Sequence, residues 1–164
     1  MNKKLLSRKK LAAVVAELRK DGKRIVTTNG CFDLLHVGHL KGLQDARAFG
    51  DVLIVAVNSD SSVRDIKDPS RPLIGQKERM QMLAAFSCVD YVTLFSEKTP
   101  EAVLGIIKPD VHVKAGYRIA DMPEAAVVRA HGGRVKTSPR PANGPSTTSI
   151  IKKIRGEGLD ERKR

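Results

Sequence analysis

His36 and His39 lie three residues apart in a glycine-containing stretch whose residue types suit chemistry on phosphate. A β-branched run at 24–28 precedes the stretch, and an amphipathic segment at 40–49 follows it. This order predicts a strand, a tight loop and then a helix N-terminus, where unpaired N–H groups and the positive end of the helix dipole favour phosphate. Two imidazoles on one helical face add hydrogen-bond donors for negative charge that develops during a reaction. The stretch therefore predicts a site that binds a polyphosphate and stabilises its reaction.

The histidine pair is also compatible with a metal site or with a purely structural role. Two histidines at helical spacing can form half of a metal site, but the other histidines and the two cysteines of the chain show no matching ligand spacing. The pair could also consist of ordinary capping or core residues. Gly30 and Gly38 in the same loop favour the phosphate site, because a residue without a Cβ lets the backbone approach a ligand.

Length and composition predict one domain in a reducing compartment. A chain of 164 residues is long enough to bury a core without disulfides, and it contains only two cysteines. Since the sequence shows no secretory leader, we expect a cytoplasmic protein. The longest apolar run, at 52–57, is too short to cross a bilayer, so no membrane partner is expected.

The net charge of +12 is concentrated at the two ends of the chain. Residues 1–24 contain nine Lys or Arg and two acidic residues, residues 151–164 contain six and three, and the body between them is nearly balanced. With four Phe, two Tyr and no Trp, the chain offers few aromatic side chains for stacking on bases. Nucleic acid is therefore not favoured as the principal partner, and solvated ends explain the charge more simply.

Hydrophobic periodicity predicts short strands that alternate with helices. Strands are predicted at 25–28, 52–57, 91–94, 111–113 and 134–137. Helices are predicted at 9–20, 40–49, 76–86, 100–107, 123–130 and 147–154. The alternation predicts a single doubly wound, Rossmann-like α/β domain with about five parallel strands and helices on both faces. We expect a leading helix with a basic end at 1–22, the main domain at 23–155 and a basic, frayed tail at 156–164.

Ligands of such sheets bind beyond the carboxyl ends of the strands, and the polar motifs of this chain follow that rule. The histidine loop follows the first predicted strand, and Asn58 and Asp60 follow the second. Lys114 and Gly116 follow the fourth strand, and Ser146 opens the last helix after the fifth. These motifs therefore predict one shared cleft.

The residues from Gly30 to His39 read Gly-Cys-Phe-Asp-Leu-Leu-His-Val-Gly-His. This run resembles the signature of the cytidylyltransferase-like nucleotidyltransferases. From about Leu11 to Ile154, the chain resembles the bacterial heptose 1-phosphate adenylyltransferases of that family. The matching segments are Thr28-Asn29-Gly30-Cys31-Phe32-Asp33, Val57-Asn58-Ser59-Asp60, Arg71-Pro72, Glu78-Arg79-Met80, Ser146-Thr147-Thr148 and Ile150-Ile151-Lys152-Lys153-Ile154. In many bacteria this activity is fused to a sugar kinase, and since no kinase domain accompanies it here, a stand-alone form is expected.

The resemblance implies specific roles for the residues of the cleft. His36 and His39 would donate to α- and β-phosphate oxygens in the transition state, and the segment that begins at Ser146 would hold the β- and γ-phosphates. Lys67, on a predicted loop at 61–70, would be catalytic and, with Arg71, would reach the substrate phosphate. The implied nucleotide contacts are Thr28, Asn29, Gly30, Cys31, Phe32, His36, Gly38, His39, Asn58, Asp60, Arg79, Lys114, Gly116, Ser146, Thr147 and Thr148.

Several of these roles have a purely structural alternative. The Ser146 segment could be an ordinary helix cap, Lys67 a solvated surface lysine and Arg79 half of an ion pair on a helix surface. Asp33 could cap the local turn, orient His36 or help to hold magnesium, and the sequence does not rank these roles. Mg²⁺ is expected as a cofactor because triphosphates carry it, bound mostly through phosphates and water rather than by a dedicated protein site.

The segment after the fourth predicted strand departs from the family pattern. Relatives usually read Lys-Gly-Gly-Asp-Tyr, whereas this chain reads Lys114-Ala115-Gly116-Tyr117, one residue shorter and without the aspartate. The missing carboxylate leaves open the preference for a base and any metal contact at this point. Ala115 is also expected to restrict a position that relied on the freedom of glycine.

The resemblance implies an enzyme that transfers AMP from ATP to a sugar 1-phosphate, expected to be heptose 1-phosphate, giving ADP-heptose and pyrophosphate by in-line attack on the α-phosphate. A cytidylyltransferase acting on glycerol 3-phosphate or a similar phosphorylated alcohol is also possible, although such relatives more often have Thr where this chain has Cys31. A nucleotide-binding regulator without turnover and a nucleic-acid adaptor that uses the basic ends are less favoured. Relatives are commonly dimers, so a homodimer is expected, and the sugar, its anomer and the base stay open.

Overall fold

The described residues of the computed structural model, 2–139 and 144–157, form a parallel sheet of six strands. The strands are β1 (Leu5–Leu6), β2 (Ile25–Gly30), β3 (Val52–Asn58), β4 (Tyr91–Phe95), β5 (Val111–Ala115) and β6 (Arg134–Ser138). The helices are α1 (Arg8–Lys20), α2 (Val37–Arg47), α3 (Asp60–Ile66), α4 (Gln76–Ala85), α5 (Glu101–Ile107), α6 (Ala125–Ala130) and α7 (Thr147–Ile154), with a 3₁₀ turn at Ile119–Asp121. The strand order is β1-β4-β3-β2-β5-β6, and the pairings are parallel.

The central strands are covered on both faces because apolar, mostly β-branched residues fill them. All seven residues of β3 are buried, and so are the first four of β2. Such a strand needs a helical layer on each side of the sheet. Leu43 of α2 and Leu83 of α4 belong to the core of one face, and Leu11 of α1 and Ile107 of α5 belong to the core of the other. The prediction of a doubly wound α/β domain with helices on both faces is therefore confirmed.

The strand order reverses between β2 and β5, which opens a crevice at the carboxyl ends of the strands. From β2 the chain builds β3 and β4 to one side, and β5 and β6 lie on the other. The ladder between β2 and β5 ends at the pair Thr27 and His112, although β2 itself continues to Gly30. Because ligands of doubly wound sheets bind where the strand order reverses, this crevice is the expected position of the site.

One element at the edge of the sheet differs from the sequence prediction. Leu5–Leu6 form β1, which pairs with β4, so the segment 1–22 contributes an edge strand as well as the predicted helix. A strand of two residues is too short to show an alternating apolar pattern, which is why the sequence predicts five strands and the structure has six.

A second element, α3, occupies Asp60–Ile66, most of which lies in the segment 61–70 that is predicted as a loop. The Ser59 hydroxyl caps this helix by accepting a hydrogen bond from the backbone N–H of Ser62, at 3.2 Å. The helix is seven residues long and mostly polar, so it lacks the apolar period on which a helix prediction depends.

The remaining bounds agree with the prediction within a few residues. α2 begins at Val37 rather than at 40 because His36 is its N-cap. Of the predicted tail at 156–164, residues 158–164 lie outside the described part of the chain. Within the described part, no helix is both long enough and apolar enough to span a membrane.

Candidate active site

A cleft of about 760 Å³ lies at the carboxyl ends of β2 and β5. Most of its lining comes from the loop from β2 into α2, the segment after α3, the end of β5, and α7 with the residues before it, and Asn58 at the end of β3 and Lys98 after β4 complete it. Of the predicted site residues, those that line the cleft are Thr28, Asn29, Gly30, Cys31, Phe32, Asp33, His36, Gly38, His39, Asn58, Lys67, Arg71, Lys114, Ser146, Thr147 and Thr148. The sequence motifs therefore converge on one cavity.

The imidazoles of His36 and His39 stack at the N-terminus of α2. Their ring centroids are 3.9 Å apart and their planes are inclined by 25°. His36 is the N-cap, and its Nδ1 accepts a hydrogen bond of 3.1 Å from the backbone N–H of Gly38. Since Nδ1 accepts, a neutral His36 carries its proton on Nε2, which makes Nε2 a hydrogen-bond donor.

Phe32 supports the histidine pair from the loop before α2. Its ring lies 5.3 Å from that of His39 between centroids, and its side chain is part of the apolar core. The backbone of Phe32 has a φ of 49°, a left-handed conformation that bulky residues rarely adopt. A strained backbone conformation persists only where surrounding contacts hold it in place. At Phe32 those contacts come from the burial of its ring in the core.

The two glycines of the loop make room for side chains of the loop itself. A Cβ on Gly38 would lie 2.9 Å from the His36 ring and 3.4 Å from the Pro145 carbonyl oxygen. A Cβ on Gly30 would lie 3.2 Å from the Phe32 ring. From the sequence, these glycines are expected to make room for a ligand, and the structure shows that they also make room for the His36 and Phe32 rings.

Asp33 anchors the segment that follows α3 rather than holding a metal or orienting His36. Its Oδ2 accepts a hydrogen bond from Arg71 Nε at 2.5 Å, and its Oδ1 accepts from the backbone N–H groups of Leu73 (2.7 Å) and Ile74 (3.0 Å). The residue is 3% exposed. Because both oxygens are occupied, magnesium binding by Asp33 and orientation of His36 are not supported, and Asp33 fixes Arg71 at the wall of the cleft.

Arg79 does not line the cleft, and this corrects the expectation of a direct contact with the triphosphate. The side chain is 1% exposed. Its guanidinium donates to the carbonyl oxygens of Ile74 (2.9 Å), Cys31 and Asn58 (2.9 Å), and to the carboxylate of Asp60 (2.7 Å). Arg79 therefore ties the exits of β2 and β3 to α4, and Asp60, its ion-pair partner, also lies outside the cleft lining.

The N-terminus of α7 faces the same cleft as the N-terminus of α2. Ser146 is its N-cap and forms a reciprocal capping box with Ser149, with hydrogen bonds of 2.9 and 3.1 Å. The Thr147 hydroxyl donates to the Leu34 carbonyl at 3.4 Å, which links α7 to the histidine loop. The interpretation of Ser146 as a helix cap is thus correct for its local structure, and it leaves the N-terminus of α7 directed at the cleft.

Lys67 lines the cleft at the C-cap of α3, at the point where the helix ends. Nearby, burial raises the pKa of the Cys31 thiol above its ordinary value, although the positive charges of Lys67 and Arg79 act in the opposite direction. The thiol is therefore protonated at neutral pH and is not poised as a nucleophile.

Four cationic residues of the cleft are missing from the sequence prediction: Lys41, Lys98, Lys152 and Arg155. Lys152 and Arg155 follow Ser146 on the same helix, and helical spacing from Thr148 could have indicated them. Lys98 follows β4. Because ligands bind beyond the carboxyl ends of strands, its position after β4 could have indicated it.

The structure at the end of β5 does not support the expectation that Ala115 restricts a position that needs glycine. Ala115 is the last residue of β5, and the left-handed position is Gly116, with a φ of 72°. Ala115 therefore occupies a strand position that any residue can adopt, and Gly116, which does not line the cleft, provides the turn. Lys114 lines the cleft with its Nζ 2.6 Å from Glu124 Oε1 and 4.7 Å from the centroid of the Tyr117 ring.

Within the part of the chain that the structure describes, no cluster of three or more His, Cys, Asp or Glu side chains is placed to hold a metal ion.

The sheet order and the cleft at its reversal define a doubly wound, Rossmann-like α/β protein. The family profile described as cytidylyltransferase-like matches residues 27–153, and the chain belongs to that family. Bifunctional protein HldE of Geobacter sulfurreducens is 50% identical over 145 residues, and that of Geotalea uraniireducens is 51% identical over 152 residues. These alignments cover 88% and 92% of this chain but only 29% and 31% of the relatives, so the chain spans about a third of their length.

Two solved structures share the fold. A lipopolysaccharide core biosynthesis protein from Thermoplasma volcanium has a TM-score of 0.61 and 25% identity, over 73% of this chain and 98% of that protein. Pantoate-beta-alanine ligase from Francisella tularensis has a TM-score of 0.62 and 15% identity, over 90% of this chain and 72% of that protein. The second likeness concerns the fold alone.

Proposed function

We propose that the chain is a nucleotidyltransferase that transfers AMP from ATP to heptose 1-phosphate, giving ADP-heptose and pyrophosphate. The observation that supports this most strongly is the arrangement of the cleft. The N-termini of α2 and α7 face it together, with the stacked histidines at one and the Ser146 cap at the other. Two helix N-termini with imidazole and hydroxyl donors suit a chain of phosphates.

The reaction needs position and positive electrostatics more than covalent chemistry. A phosphate oxygen of heptose 1-phosphate attacks the α-phosphorus of ATP, and the bond from that phosphorus to the oxygen that bridges to the β-phosphate breaks. The bonding electrons leave with pyrophosphate, and the new linkage joins AMP to the sugar phosphate. No general base is required, because the phosphate monoester is already anionic at neutral pH.

His36 and His39 serve as donors to the α- and β-phosphate oxygens as charge develops there. The Nδ1 of His36 is occupied by the Gly38 N–H, so the donor to phosphate is Nε2. The Ser146 segment holds the β- and γ-phosphates. Lys67 and Arg71, with Lys98 and Arg155 also in the cleft lining, supply positive charge for the phosphate of the sugar.

Mg²⁺ accompanies the triphosphate in this proposal. Asp33, the carboxylate considered for a metal, is engaged by Arg71 and by two backbone N–H groups. The metal would therefore be held mainly by phosphate oxygens and water, and it would neutralise charge on the leaving group.

The relatives favour the sugar substrate over glycerol 3-phosphate. Those with about half of their aligned residues identical are named bifunctional protein HldE, and one solved neighbour is named a lipopolysaccharide core biosynthesis protein. These names agree with the segments that resemble heptose 1-phosphate adenylyltransferases. We also expect a homodimer and a cytoplasmic location.

An isotope experiment tests the reaction. The protein is incubated with ATP, Mg²⁺ and heptose 1-phosphate labelled with ¹⁸O in the phosphate, and the products are analysed by mass spectrometry. We expect the label in ADP-heptose and none in pyrophosphate, because the sugar phosphate supplies the attacking oxygen. Formation of ADP or free phosphate without a labelled sugar nucleotide would contradict the proposal.

A further inference from the structure

A buried polar chain runs beneath the β5 wall of the cleft. The Thr27 hydroxyl lies 2.8 Å from His112 Nδ1, and His112 Nε2 lies 3.7 Å from Glu124 Oε1. The same Glu124 oxygen lies 2.6 Å from Lys114 Nζ, and Lys114 lines the cleft. Thr27 and His112 are fully buried, and Glu124 is 1% exposed. This row of polar side chains therefore connects the interior of the sheet to one cationic group at the cleft, the Lys114 ammonium.

Within this row of buried polar side chains, Glu124 is ionised and His112 is neutral. Burial acts to raise the pKa of the Glu124 carboxyl, but the hydrogen bond from Lys114 and the nearby His112 ring outweigh it and lower the pKa to about 2. Burial lowers the pKa of His112 below its ordinary value. The one positive charge next to the carboxylate is thus the Lys114 ammonium, and the two charges cancel.

We propose that Glu124 is a positioning residue that holds Lys114 against Tyr117, so that Lys114 binds the nucleoside part of ATP and not its phosphates. This rests on the proposed function, since it assigns a task within the same cleft. An ammonium has three N–H donors, of which Glu124 accepts one, and the Tyr117 ring lies 4.7 Å from the Lys114 nitrogen. A charge-compensated donor suits neutral acceptors such as ribose hydroxyls or ring nitrogens of a base.

The position of Tyr117 supports a nucleoside subsite. Tyr117 is 45% exposed and lines the cleft beside Lys114, so it offers aromatic surface to a ligand. The groups suited to phosphates, namely the histidine pair and the α7 N-terminus, belong to other segments of the cleft lining. The cleft thus has a partly aromatic part at the end of β5, where Glu124 pairs with Lys114, and a part lined by several other cationic side chains.

Calorimetric binding of two probes, ATP and inorganic triphosphate, tests the inference. Glu124→Gln preserves side-chain volume and removes the charge, and Lys114→Met removes the ammonium. We expect each variant to bind ATP about tenfold more weakly, as for one lost charge-assisted hydrogen bond, and to bind inorganic triphosphate no more weakly than wild type. The double variant should bind ATP no more weakly than Lys114→Met alone, because Glu124 acts through Lys114.

Asp121→Asn is the matched control, since Asp121 pairs with Arg118 at the surface nearby at 2.8 Å and should leave both affinities unchanged. Equal weakening of ATP and inorganic triphosphate would overturn the inference by making Lys114 a phosphate ligand. Additive losses in the double variant would also overturn it. If Glu124→Gln does not fold, the affinities for ATP and for inorganic triphosphate are compared in Lys114→Met instead. If the wild type binds ATP and the variants give either of these contrary results, only the inference about Lys114 is wrong. If the wild type binds no nucleoside triphosphate, the proposed function is wrong.

Discussion

The stacked imidazoles of His36 and His39 are the side chains on which the proposed reaction most depends. We expect His36→Ala and His39→Ala each to lower kcat by about a hundredfold or more, with little change in ATP affinity. The reason is that their donors match charge that develops only in the transition state. Steady-state kinetics with separate ATP titration checks this result.

His131→Ala is the control for the histidine variants, because His131 is exposed at the end of α6 and does not line the cleft. It should keep the kcat of wild type. A raised KM with an unchanged kcat in the His36 and His39 variants would make them binding residues without a transition-state role.

Gly38 determines where the His36 ring can lie. A Cβ at this position would meet the ring at 2.9 Å, so Gly38→Ala should displace His36 from its stack with His39. We expect kcat to fall about 10- to 100-fold while the chain remains folded. Gly105→Ala in α5 is the matched control, since a Cβ there meets nothing within 4 Å. Equal kcat values for the two variants would show that the ring position does not matter.

At the scale of elements, Arg79 joins the exits of β2 and β3 to α4. Arg79→Met should lower the free energy of unfolding by about 3 kcal/mol, because buried carbonyl groups and the Asp60 carboxylate lose their donor. Urea denaturation measures this loss. Arg118→Met, which breaks an ion pair at the surface, should leave the midpoint unchanged. A stable Arg79→Met variant would show that the strand exits are fixed without the guanidinium.

Elements with a long apolar period could be predicted from the sequence, and short polar ones could not. The buried run of β3 follows from its short length and β-branched composition, and the matching helices follow from their apolar spacing. β1 and α3 carry no such pattern, because two residues pair only where β4 already exists and a serine cap starts the helix. Local sequence does not contain the first piece of information, and a serine cap without an apolar period does not by itself identify a helix.

The candidate site was predictable where a residue type and its place after a strand agree. The histidine loop and the Ser146 cap meet both conditions, and both line the cleft. Arg79 has the right type, but contacts distant in sequence bury it. Glu124 belongs to a segment without a motif, and only the folded chain brings it to Lys114. Pairings between distant segments are therefore the part that sequence reasoning does not reach.

At the scale of the whole molecule, His112 makes stability depend on pH. Burial lowers the pKa of His112 below its ordinary value of 6.5, so the unfolded chain binds a proton here that the folded chain does not. Stability is therefore complete above about pH 6.5 and falls below it, by up to about 1.4 kcal/mol per pH unit. Urea denaturation between pH 7 and 5 should show this slope in wild type and a smaller slope in His112→Gln.

His131→Gln is the control for this series and should keep the slope of wild type, since His131 is exposed. The range stops at pH 5 because Glu124, with a folded pKa of about 2, loses its stabilising effect only as the pH falls below its ordinary value of 4.5. Parallel slopes for wild type and His112→Gln would contradict a neutral His112 in the folded chain.

The most direct test of the account is the release of pyrophosphate, measured with each of ATP, CTP, GTP and UTP against a panel of sugar 1-phosphates and glycerol 3-phosphate, with Mg²⁺. We expect release only when a triphosphate and a phosphorylated acceptor are both present, with ATP and heptose 1-phosphate as the fastest pair and no release after chelation of the metal. Release with CTP and glycerol 3-phosphate but not with ATP and heptose 1-phosphate would contradict the named substrates. No release with any pair would contradict nucleotidyl transfer in this cleft.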